Sequence, residues 1–123
     1  MVILYWNEVK AVNRFQAPKQ GDILWVNLNP TQGYEQQGKR PVLVVSNDDF
    51  NELCGGMVKI ASITSTMRPF PLHVQVPAGL PIHGMVKLEQ ERSVDLSYRG
   101  YDYACHTDSQ FMAKVLKIIG RTY

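Results

Sequence analysis

A small antiparallel β barrel or sandwich closed by one C-terminal helix is the fold class that this sequence predicts. Three observations carry it. Five short runs rich in β-branched and apolar residues lie between positions 22 and 90. No helical repeat separates them, so the strand–helix alternation of a parallel sheet is excluded. The last stretch then changes from strand-like alternation to helical spacing.

Each element has its own signal. Residues 1–20 form an extension that ends at "APKQGD", where Pro18 and Gly21 punctuate the chain. "DILWVNLN" (22–29) is rich in branched and aromatic residues and stops at Pro30, as a strand does. A polar loop, 30–40, leads to Pro41, which lacks an N–H and so belongs at the start of the next strand, "PVLVVS". The residue before a proline is pushed toward extended geometry, which restrains Arg40. "NDDFNEL" reads as a turn or single helical turn. Strands follow at 56–64, at 72–76 with His73 and Gln75 turned outward, and at 84–90. In "HTDSQFMAKVLKIIG", Thr107 and Gln110 have the spacing of a capping box. Phe111, Met112, Val115, Leu116 and Ile119 make one apolar stripe, and Gly120 suits the C-terminal cap. The organisation is one domain over 1–123, with an extension (1–20), a barrel core (21–95) and a helix (107–120).

Composition limits the function. With 123 residues the chain has enough for one core, and 45% hydrophobic with 20% charged residues is ordinary for a globular protein. A net charge of +2 permits an anionic partner only through a local patch. Cys54 and Cys105 are far apart and have no CxxC spacing, which argues against zinc and leaves free thiols or a disulfide. A reducing cytosol favours free thiols. "MVILYW" is too short to span a membrane and lacks the pattern of a signal peptide, so a cytoplasmic protein without membrane attachment is expected.

No GxGxxG, Walker loop, HExxH or GxSxG occurs, and His73, His83 and His106 lack metal spacing, so each reads as a surface or loop residue. Neither a metal nor a cofactor is expected. What stands out is a polar set at strand ends: Tyr34, Glu35 and Gln36 in the long loop, Lys39 and Arg40 at its exit, Thr64 and Ser65 after the third strand, and Lys87 and Glu89 on the fifth. A small barrel gathers such ends on one rim. Any one of these residues alone reads equally well as a solvated side chain.

In order and spacing, "GYEQQGKRPVLVVS", "ITST" and "KLEQERSVD" resemble the MazF/PemK (Kid) family of toxin endoribonucleases, over residues 20–95 and more loosely through the terminal helix. The resemblance implies an SH3-like barrel of the plasmid-maintenance toxin type. It implies a homodimer that cuts single-stranded RNA at short sequences without metal and is silenced by an acidic antitoxin. Arg40, Thr64 and Glu35 match the positions tied to catalysis. Gln36, Lys39, Tyr34, Ser65, Lys87 and Glu89 are the implied RNA contacts. Lys87 and Glu89 stand where other members carry an arginine and an aspartate, and a lysine holds a phosphate without the arginine's two-pronged fork. Such chemistry needs a base for the 2′-OH, a cation for the developing charge and help for the departing 5′-oxygen. The products would be a 2′,3′-cyclic phosphate or 3′-phosphate and a 5′-hydroxyl. Lys39, Arg40, Lys87 and Arg92 would line the rim, and the stripe of 111–119 would serve the dimer. Two rival readings are a barrel toxin that inhibits gyrase without catalysis and a plain SH3-like binding module. Neither needs Arg40, Thr64 and Glu35 together.

Overall fold

The computed structural model describes residues 16–28 and 38–123. Its framework is a seven-stranded antiparallel sheet whose pairings do not close into a complete ring among the described residues. β1 (Asp22–Asn27) pairs with β2 (Lys39–Val44), Ile23 opposite Leu43 and Asn27 opposite Lys39. β2 therefore begins two residues before Pro41, and Arg40 is a strand residue rather than a loop exit. The proline is accommodated because β3 (Met57–Thr64) pairs with β2 only from Val42 onward.

β3 is the hinge of the architecture. Along its other edge its first half pairs with β6 (Arg92–Asp95) and its last two residues with β5 (Met85–Lys87), which in turn holds β4 (His73–Gln75). A 3₁₀ turn, Leu88–Gln90, joins β5 to β6. The expected fifth strand over 84–90 thus ends at Lys87, and Glu89 lies on a turn. The Leu88 N–H is taken by the Leu72 carbonyl (3.0 Å), which draws the chain off the β3 ladder. The sheet also extends beyond the expected core boundary at 95. β7 (Asp102–His106) pairs with β1 across a bulge between Ile23 and Leu24.

Alternating side chains of the same strands fill two cores. Ile23, Leu43, Ala61, Ile63 and Val86 face one; Leu24, Val26, Val42, Val44 and Ile60 face the other. Burial on both faces is why "VLVV" reads as a continuous apolar run.

Three helices complete the described fold. α1 (Asp48–Leu53) is capped by Asn47, which accepts from the Phe50 N–H (2.8 Å). α2 (Leu96–Arg99) is one short turn capped by Asp95. α3 (Ser109–Gly120) covers the first core with Phe111, Met112 and Val115. Its cap corrects the sequence reading: Asp108, not Thr107, accepts from the Phe111 N–H (2.7 Å). Thr107 is buried and instead gives its hydroxyl proton to the Gly21 carbonyl (2.8 Å). Gly120 closes the helix from inside and Arg121 takes the C-cap. Leu116 is exposed, whereas Ile118 and Ile119 pack on the core. The stripe is therefore largely buried within the chain. No described helix is long and apolar enough to cross a membrane.

Candidate active site

The ends of β2, β3 and β5 meet around a cleft of about 710 Å³. Arg40 comes from β2, Thr64 and Ser65 from the end of β3 and Lys87 from the last residue of β5. Trp25 and Pro41, register partners in β1 and β2, form one wall. Pro81, Ile82 and His83, from the loop between β4 and β5, form another. Four of the predicted residues (Arg40, Thr64, Ser65 and Lys87) thus share one cavity.

Local geometry fixes them. The extended backbone imposed by Pro41 holds Arg40 in β2 opposite Val26, where it is exposed and donates to the Lys39 carbonyl through Nη1 (3.1 Å). The Thr64 hydroxyl accepts from the Thr66 N–H (3.2 Å), which leaves its own proton to offer to an acceptor in the cleft. Thr64 also pairs with Met85, and the residue before it, Gly84, has φ +143°. A Cβ at Gly84 would fall 2.3 Å from the Thr64 carbonyl oxygen, so only glycine lets the loop come this close. Arg40 and Lys87 supply the charge of the lining. No carboxylate is among its described residues.

Other predicted residues lie elsewhere. Lys39 meets Asp102 of β7 (2.5 Å) and does not line the cleft. The Glu89 carboxylate is engaged by His73 Nε2 (3.0 Å), so His73, expected to turn outward, instead folds against the turn. Arg92 sits in β6 opposite Ile60, apart from the cleft lining. Tyr34, Glu35 and Gln36 lie outside the described residues, as do 1–15. Trp25 and His83 are lining residues that the sequence reading passed over. The only available signal for Trp25 was its place in a strand leading toward the long loop.

Comparison with known proteins decides the family. The profile described as PemK-like, MazF-like toxin of type II toxin-antitoxin system matches residues 19–122. The chain belongs to the PemK/MazF toxin family. The endoribonuclease EndoA of Bacillus subtilis is 36% identical over 102 residues, covering 79% of this chain and 86% of that protein. The crystal structure of MazF from Deinococcus radiodurans superposes with a TM-score of 0.75 at 30% identity, over 88% of this chain and 97% of the other. A MazE-MazF structure from the same organism gives 0.74 at 26% identity, over 88% and 96%.

Proposed function

We propose that this PemK/MazF chain is an endoribonuclease toxin that cleaves single-stranded RNA at short sequences without a metal ion. The observation that carries the reading is the convergence of Arg40, Thr64, Ser65 and Lys87 on one cleft. Two cations and two hydroxyls at strand ends suit a phosphodiester, and the Trp25 wall offers a ring on which a base can stack. Relatives named endoribonucleases at this level of identity favour catalysis over the gyrase-inhibitor and binding-module readings.

In this mechanism the ribose 2′-OH attacks the adjacent phosphorus. Arg40, aimed by its strand, presents a guanidinium fork to the non-bridging oxygens as charge develops on them. Thr64 donates its hydroxyl to one of those oxygens, and Lys87 holds the neighbouring phosphate. Glu35 is proposed as the base that takes the 2′-OH proton. The products are a 2′,3′-cyclic phosphate and a 5′-hydroxyl.

Membership of a toxin–antitoxin family supports a cognate antitoxin as partner. An acidic antitoxin segment laid over Arg40 and Lys87 would neutralise the cleft. A homodimer working in the cytoplasm completes the proposal. The test is incubation of the purified protein with long single-stranded and duplex RNA in excess EDTA. Cleavage of the single strand alone is expected. A requirement for added magnesium or manganese would overturn the metal-free mechanism, and no cleavage under any condition would overturn the ribonuclease reading.

A further inference from the structure

The cleft holds two cations for phosphate and three hydroxyls, those of Ser62, Thr64 and Ser65, and among its described lining residues one further side chain is a proton-transfer type: the imidazole of His83. Its surroundings are built to hold it still. On one side Ile82 is anchored in the core with 7% of its surface exposed. On the other, Gly84 is buried, presses against the Thr64 carbonyl and gives its own carbonyl to the Val76 N–H (2.9 Å). Between two fixed neighbours, the side chain of His83 is exposed on the cleft wall. A proton-transfer group needs this placement on a supported backbone, with its ring open to the substrate.

The charged groups sharing the cleft are Arg40 from β2 and Lys87 from β5; β1 contributes Trp25 and β3 contributes hydroxyls. Neither cation gives up a proton readily, so neither suits leaving-group protonation. We infer that His83 is the general acid of the reaction, an inference that rests on the ribonuclease reading. As the 2′-oxygen forms its bond to phosphorus and loses its proton to the base, the bond from phosphorus to the 5′-oxygen breaks. The imidazolium of His83 passes its proton to that departing oxygen, and the neutral ring regains a proton from water.

The experiment compares wild type with His83→Gln and His83→Asn on two RNA oligonucleotides. One carries the ordinary 5′-oxygen at the cut bond, located by sequencing the 5′ ends of products. The other carries sulfur there, a leaving group that departs without protonation. On the oxygen substrate both variants should lose on the order of 10²–10³ in kcat, within the usual range for removal of a proton donor. Wild type should lose rate as pH rises, because the acid must be protonated, and the variants should lack that fall. On the sulfur substrate, and in binding an uncleavable 2′-deoxy analogue, the variants should stay within about threefold of wild type, since neither needs the acid. Equal losses on both substrates, or wild-type rates on the oxygen substrate, would overturn the role of His83 while leaving the ribonuclease reading standing. A wild-type protein that cleaves neither substrate would overturn that reading itself.

Discussion

His73 Nε2 lies 3.0 Å from a carboxylate oxygen of Glu89, tying β4 to the turn that follows β5. The imidazole is largely buried, and its Nδ1 has no hydrogen-bond partner among the described residues. Glu89 therefore provides the ring's hydrogen-bonded side, while Phe70 packs against it with ring centroids 5.0 Å apart. Removing it should cost stability rather than catalysis. Glu89→Ala is expected to destabilise the fold by about 1–3 kcal/mol, the usual penalty for orphaning a buried polar group. Glu89→Gln keeps an acceptor and should cost less, with little change in cleavage rate. A normal melting temperature together with a tenfold slower Glu89→Gln enzyme, a loss of about 1.4 kcal/mol in the barrier, would reverse this assignment.

Arg40 has the opposite profile. It is exposed on β2 and lines the cleft. Arg40→Ala should lose on the order of 10²–10³ in rate, as when one preorganised donor to developing charge is removed. Circular dichroism should remain that of the wild type. Arg40→Lys keeps the charge but not the fork and should recover only part of the activity. Retention of more than about a third of the wild-type rate by Arg40→Ala, where a hundredfold loss is expected, would show that the charge is stabilised elsewhere.

How far these residues could be read from sequence follows from how each is held. β1, β2 and β3 were legible because both of their faces are apolar. β6 and β7 were not, since "RSVD" and "DYACH" each bury a single residue and show no periodicity. Arg40, Thr64, Ser65 and Lys87 could be grouped because strand ends of a small sheet converge. His83 could not, because its place depends on a glycine-permitted approach of Gly84 to Thr64 that no periodicity records. The helix cap was misplaced by one residue because Thr107 and Asp108 are both capping types. In the fold Asp108 accepts from the Phe111 N–H, while Thr107 donates to the Gly21 carbonyl.

Asp95 links stability to acid. The Ser97 hydroxyl, followed by the Ser97 and Tyr98 amides and the Arg99 charge, holds its carboxyl below the ordinary value despite some desolvation. The folded state therefore favours the ionised cap. Its contribution is present above the unfolded carboxyl value of about 4 and is lost as pH falls through the lower folded one. The site is exposed, so screening keeps the effect small. Asp95→Asn retains an acceptor without the titration. The melting temperatures of wild type and variant should differ at neutral pH and converge in acid. A gap that stays constant down to the acid transition would exclude Asp95 as its source.

The two cysteines should be chemically distinct. Both are free. Cys54 is exposed in the turn after α1. Cys105 is buried on β7, where desolvation and then the nearby Asp22 carboxylate push its thiol upward. Thiol reagents attack the thiolate, so both burial and the raised proton affinity slow Cys105. In the native protein one thiol should label rapidly and the second at least about tenfold more slowly, its rate following the opening of the sheet around β1 and β7. Cys54→Ser should abolish the fast phase and leave the slow one intact. In denaturant, without reductant, both thiols should react at once. Equal native rates would mean that β7 does not shelter Cys105, and failure to label the unfolded, unreduced chain would mean that the two sulfurs are joined.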